Sequence, residues 1–143
     1  ARTLIMKPKF VVCDEPTSML DVSIRISIMD LMLNLAKDLE VSYLYITHDL
    51  AVARYMCNRI AVMFNGKIVE IAETEELLKN PIHPYTKRLI SSIPVPDPTY
   101  ERVVYDIDYT ELDSIIATDT QKIGMVDIGN EHYVATHDVK GIL

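Results

Sequence analysis

Glycine is scarce: Gly66, Gly124, Gly129 and Gly141 are the only four in 143 residues, and none belongs to a G-x-x-x-x-G-K-[ST] loop. No backbone cradle for nucleotide phosphates can therefore be built from these residues alone. Tryptophan is absent. The two cysteines, Cys13 in an apolar run and Cys57 in a helical stretch, show no metal-ligand spacing and imply no disulfide framework; they read as small buried hydrophobes in a reducing compartment. No apolar run approaches the roughly 20 residues of a membrane-spanning helix. No signal peptide is visible, although a missing N-terminus would hide one, and the segment is expected to be soluble.

Positive charge is also scarce toward the end. Residues 1–96 carry 11 acidic and 11 basic side chains, whereas residues 97–143 carry 10 acidic and 3 basic, so the tail accounts for the whole formal charge of −7. That balance argues against nucleic acid as a partner. The break coincides with Pro94, Pro96 and Pro98, which cannot continue a helix and read as a stiff connector between two modules. An apolar share of 49% is enough for a core.

What is present is concentrated at Phe10-Val11-Val12-Cys13-Asp14-Glu15-Pro16-Thr17-Ser18-Met19-Leu20-Asp21. Four residues with no polar member suit a strand buried on both faces, as in the middle of a parallel sheet. Asp14 and Glu15 then fall at its carboxyl end, the edge where open α/β sheets bind ligands. Paired carboxylates there suit phosphoanhydride hydrolysis, one holding Mg²⁺ through water and the other orienting or deprotonating an attacking water. On the strand alone, a buried strand whose acids cap the next helix reads equally well.

Residues 21–49 shift that balance. Asp21 stands where an N-cap belongs, before a helix from Val22 to Leu39 in which Ile24, Ile28, Leu31, Leu35 and Leu39 recur at helical spacing. Tyr43-Leu44-Tyr45-Ile46-Thr47 is a second β-prone run ending at His48-Asp49. A right-handed crossover makes the two strands parallel and brings His48 to the edge that holds the carboxylates.

These motifs, in this order and spacing, resemble the ATP-binding-cassette (ABC) ATPases. Asp14-Glu15-Pro16-Thr17 is similar to their Walker B strand and following glutamate, Ser18-Met19-Leu20-Asp21 to their D-loop, and Ile46-Thr47-His48-Asp49 to their switch-histidine loop. Residues 1–9 resemble the helix end and turn leading into Walker B. Met19 and Cys13 depart from the family's commoner residues without removing a reacting group. The signature Leu-Ser-Gly-Gly-Gln stretch is absent, so the chain reads as the C-terminal portion of a longer ATPase, inactive by itself.

Downstream, Ile60–Phe64, Asn65-Gly66 and Lys67–Ile71 have the pattern of a two-residue β-hairpin. Glu73-Thr74-Glu75-Glu76 suits the first turn of a short helix that stops at Asn80-Pro81. His83-Pro84-Tyr85-Thr86 with Pro94–Pro98 resembles the C-terminal extension of the ABC subunits that power oligopeptide and dipeptide importers, a group with nickel-importing relatives. As physics it is a helix with Pro84 at its first position and a satisfied His83 beside it, with no chemistry assigned to His83. In the tail, Tyr105, Ile107 and Tyr109 alternate with acids as in a half-exposed strand, and 123–128, Gly129-Asn130 and 132–136 read as a further hairpin. Relatives often carry an iron-sulfur cysteine cluster here, but Thr136 stands where a cysteine would be, and a tail without cysteine excludes the cluster. His132 and His137 with nearby acids make only a weak zinc signal.

The expected fold is therefore α/β: the C-terminal part of a P-loop NTPase (ABC ATPase) domain with a parallel sheet core over 1–80, a helical extension and connector over 81–98, and a small antiparallel β extension in an acidic tail over 99–143. The resemblance implies ATP and Mg²⁺ as cofactors, with Asp14 helping to hold the metal, Glu15 polarising the attacking water, His48 contacting the γ-phosphate, and Ser18 with Asp21 communicating across a dimer. It implies a second ATPase subunit and transmembrane permease subunits as partners. It also implies peptide uptake driven from the cytoplasmic face of the membrane, without insertion into lipid. A non-transport ABC ATPase of DNA repair or translation, or a non-catalytic interaction module, are the alternatives.

Overall fold

The computed structural model describes residues 6–92 and 124–136. The expected strand at 105–109, the connector at 94–98 and the helix end at 1–5 lie outside these residues. The chain divides into two compact units, Ala1–Cys57 and Asn58–Leu143.

In the first unit, β1 (Phe10–Asp14) and β2 (Ser42–Ile46) pair in parallel, with Phe10 opposite Ser42 and Asp14 opposite Ile46. They are joined by α1 (Val22–Asp38), and β2 leads into α2 (Leu50–Met56). The strand-helix-strand order is as the sequence predicts. Asp21 occupies the N-cap position of α1, but its side chain makes no capping bond; its carbonyl accepts the Arg25 N–H at 2.8 Å.

Two expectations are corrected. β1 is not buried on both faces: one face of the ribbon leaves Phe10 56%, Val12 55%, Leu44 49% and Ile46 45% exposed. Among the described residues β1 pairs with β2 alone, and no layer covers that face. Of the five spaced apolar residues of α1, Ile24, Leu31 and Leu39 are likewise exposed and Ile28 and Leu35 are half-buried, while Met29, Met32 and Leu33 pack with Val52, Met56, Tyr45 and Cys57. Because the apolar side of α1, opposite the arc of Ser23, Ser27, Asp30, Asn34 and Lys37, is broad, periodicity could not tell which part of it would meet the sheet. Three methionines in this cluster suit an irregular gap, since an unbranched thioether adapts its shape.

The second unit is built on a four-stranded antiparallel sheet in the order β3-β4-β6-β5. β3 (Arg59–Phe64) and β4 (Lys67–Glu73) form the expected hairpin, and Asn65 and Gly66 both have positive φ, +46° and +75°, as the favoured two-residue turn requires. Helix α3 (Thr74–Lys79) comes next and stops at Asn80; α4 (Pro84–Ser91) starts with Pro84. The His83 ring caps α4, accepting the Tyr85 N–H at 3.1 Å through Nδ1. The 124–136 hairpin also forms, as β5 (Gly124–Asp127) and β6 (Tyr133–Thr136). Val134 and Tyr133 pair with Glu70 and Ile71, so the tail hairpin widens the β3-β4 sheet.

An irregularity between Val62 and Met63 places one extra residue in β4, and the bulge interrupts the alternation so that Val69 and Glu70 are buried in succession. Glu70 is 0% exposed. Its carboxylate accepts the Ile82 N–H at 2.8 Å and the His83 N–H at 3.0 Å, and its Oε1 lies 2.7 Å from Nε2 of buried His132. One carboxylate thus joins a strand, the turn before α4 and the loop of the tail hairpin. His132 therefore has a structural partner, and no group of three or more His, Cys, Asp or Glu that could hold a metal occurs among the described residues.

Removing one member of a buried hydrogen-bonded pair costs about 1–3 kcal/mol, because its partner stays buried and unsatisfied. Glu70→Ala is expected to destabilise the chain by about that amount in urea unfolding followed by tyrosine fluorescence, and His132→Ala by a similar amount. A loss below about 1 kcal/mol in both would refute this role. Burial also pushes the thiols of Cys13 and Cys57 above the usual cysteine value. A raised pKa lowers the thiolate fraction at any pH beneath it, so iodoacetamide should modify the native chain more slowly than the urea-unfolded chain at pH 8. The gap should close as pH climbs past the raised values.

Candidate functional site

Parallel pairing in this register carries the chain out of both strands at the same edge. The Glu15 N–H donates to the Ile46 carbonyl at 2.9 Å, extending the ladder one residue past β1. Glu15 itself has φ +42°. For a non-glycine residue that conformation costs about 1–2 kcal/mol. Ser18 holds it in place, donating to the Glu15 carbonyl from both its N–H, at 3.3 Å, and its Oγ, at 3.0 Å. The turn directs the Glu15 carboxylate across to His48, where Oε1 lies 2.6 Å from Nδ1.

These side chains are 42% and 76% exposed, and an exposed ion pair contributes about 0–1 kcal/mol. That is no more than the cost of the backbone strain, so stability does not account for the arrangement. Its chemical consequence is orientation. With Glu15 ionised, Nδ1–H donates to the carboxylate, which fixes the ring and leaves Nε2 for another partner. The second Glu15 oxygen remains available to a water or hydroxyl group.

A further bond links the same two segments, Thr17 Oγ1 to the Tyr45 hydroxyl at 2.8 Å, with Thr17 buried. Asp49, after His48, caps α2: its Oδ1 accepts from the N–H groups of Ala51 and Val52 at 2.9 and 3.3 Å. Glu15, Thr17, Ser18, Arg25, Tyr45, Thr47, His48 and Asp49 line a pocket of about 50 Å³. Sequence reasoning does not single out Thr17, Arg25, Tyr45 or Asp49 as site residues. Asp49 before Leu50 carries a legible cap signal, whereas the others become neighbours only through the strand pairing.

Of the residues singled out in the sequence, Glu15 and His48 touch, Ser18 bonds to the backbone of Glu15, and Asp21 begins α1 beside them in the chain. Asp14 ends β1 with an exposed side chain. A lone carboxylate at such an edge fits a Mg²⁺ that keeps most of its waters; it does not fit a cation enclosed by protein ligands. The residues present thus suit a hydrated Mg²⁺ on Asp14 and a water against Glu15, and they supply no phosphate cradle. No described helix is long and apolar enough to cross a membrane.

Residues 69–123 match the family model described as the oligopeptide/dipeptide transporter, C-terminal region; they include the stretch from His83 to Pro98. The chain is 49% identical over 138 residues to the oligopeptide transport ATP-binding protein AmiF of Streptococcus pneumoniae, covering 94% of this chain and 43% of that protein. It is 52% identical over 102 residues to the oligopeptide transport ATP-binding protein OppF of Bacillus subtilis, covering 71% and 33%. Among solved structures it is similar to CbiO1 of Clostridium perfringens, part of an ABC transporter complex, at 30% identity and a TM-score of 0.50, covering 54% of this chain and 31% of that one. The chain spans less than half the length of these relatives. Over most of its residues it matches the C-terminal part of an oligopeptide/dipeptide ABC ATPase, and its mixed α/β fold agrees with that assignment.

Proposed function

We propose that this chain, matching as it does the C-terminal part of an oligopeptide/dipeptide ABC ATPase, is the hydrolytic half of an ATP-driven peptide importer subunit. The observation that carries the reading is the 2.6 Å contact between Glu15 and His48 at the carboxyl edge of two parallel strands. The match to the oligopeptide/dipeptide C-terminal region supports it further, since an ATPase of DNA repair or translation has no reason to carry such an extension.

In this reading Glu15 orients the attacking water and takes its proton, while His48, held by Glu15 at Nδ1, offers Nε2 to the terminal phosphate. Asp14 helps to hold Mg²⁺ through water. Bound MgATP supplies the phosphoanhydride and a cation that offsets charge on it; the side chains contribute position and proton acceptance. Ser18 and Asp21, on the loop that shapes Glu15, face a second ATPase subunit and relay its presence. The whole protein is a dimer attached to permease subunits at the cytoplasmic face of the membrane, without entering lipid. Residues 1–80 belong to its ATPase domain, 81–98 to the importer-type extension and 99–143 to an acidic tail.

In the full-length protein, Glu15→Gln should lower steady-state ATP hydrolysis by about 10²-fold or more and leave MgATP affinity within a few-fold, because the amide keeps the shape and loses the base. His48→Ala should likewise cut turnover and spare binding. Wild-type hydrolysis in Glu15→Gln would overturn the assignment. The 143-residue chain by itself should show no MgATP binding by calorimetry at sub-millimolar concentration and no ATPase activity, for want of phosphate-cradling amides and lysine. With Phe10, Val12, Leu44 and Ile46 exposed, it should also be poorly soluble.

A further inference from the structure

We infer that Arg25 is a positioning residue that ties the 18–21 loop to the histidine loop, so that the two move as one body; this rests on the hydrolytic reading of Glu15 and His48. Arg25 lies in the first turn of α1, at the positive end of the helix dipole, where a cation is disfavoured. Helix stability gives no reason for it there. The obvious sequence partner, Asp21 four residues earlier, receives only its backbone N–H. The guanidinium instead spans two loops: Nη2 donates to the Leu20 carbonyl at 3.3 Å, and Nη1 lies 3.7 Å from Oδ2 of Asp49.

Asp49 is well placed to receive it. Its Oδ1 is committed to the start of α2 and its own N–H to Thr47 Oγ1 at 3.0 Å, which leaves Oδ2 for the arginine and encloses His48 between two anchored neighbours. Segments 15–21 and 45–49 are joined directly by the Glu15 N–H to the Ile46 carbonyl, by Glu15 to His48 and by Thr17 to Tyr45. Arg25 adds a fourth link at the far end of the first segment, next to Asp21. Its Nε is buried without a hydrogen-bond partner, so the side chain holds this position although one donor goes unused. Lysine could not reproduce the link, because a single ammonium does not present two donors in a fixed fork.

The test uses the full-length protein and steady-state ATPase assays with MgATP binding measured alongside. Arg25→Ala should lower kcat about tenfold or more while the dissociation constant for MgATP stays within about twofold, since a small misplacement of catalytic groups acts on turnover. Asp49→Asn, which keeps the cap acceptor and removes the charge, should give a similar loss. The double variant should be no slower than either single variant, and Arg25→Lys should recover only part of the rate. Wild-type kcat in Arg25→Ala, full recovery with lysine, or multiplicative losses in the double variant would overturn the inference. If Arg25→Ala fails to fold, Asp49→Asn and Arg25→Lys decide it. Wild-type hydrolysis in Glu15→Gln would show separately that the hydrolytic reading had failed.

Discussion

The parallel pairing of β1 with β2 is the constraint on which the candidate site depends. Asp14 opposite Ile46, continued by the Glu15 N–H to the Ile46 carbonyl, is what brings residues 33 positions apart in sequence within 2.6 Å. A slip of one residue would turn every side chain of β1 to the opposite face. Glu15 would then leave His48, and Thr17 would leave Tyr45. Each of these bonds is weak by itself, and their common dependence on one register makes them cooperative.

The two units solve burial differently. The first has a small, methionine-rich cluster between α1, α2 and β2 and leaves one sheet face open to solvent. The second encloses a carboxylate: Glu70, 0% exposed, accepts from two backbone N–H groups and faces His132. A buried polar group is tolerated when it is hydrogen-bonded, and here the full set of partners requires the tail hairpin in place. The tail hairpin is thereby part of the sheet, since it both extends β4 and completes the partners of Glu70.

Function and stability are separated in the same way. The Glu15–His48 pair is largely exposed, adds little to folding and sits on a residue with strained φ. Strain of about 1–2 kcal/mol persists where surrounding bonds over-determine it, and here those bonds are the Ile46 carbonyl and the two donors of Ser18. The carboxylate and imidazole are thus oriented while still open to water, as the proposed hydrolytic role requires.

Much of the fold is readable from the chain. The apolar runs before Asp14 and His48, the Asn65-Gly66 turn, the stop at Asn80-Pro81 and the Gly129-Asn130 hairpin each act through local backbone preference, which a sequence displays directly. The type of each element and the presence of Glu15 and His48 at one edge rest on those signals. The buried face of α1 does not, because its apolar side is broad and has no preferred stripe until a sheet selects one. Nor does the burial of Glu70, which in an alternating strand reads as a solvent-facing acid; the bulge and the arrival of His132 from 62 residues away decide it. Arg25 has the same character, its sequence neighbour Asp21 being displaced by Asp49. Local preference determined the elements and the candidate site residues at their ends, whereas pairing between distant segments decided burial, partners and orientation, because those depend on which surfaces the folded chain brings together.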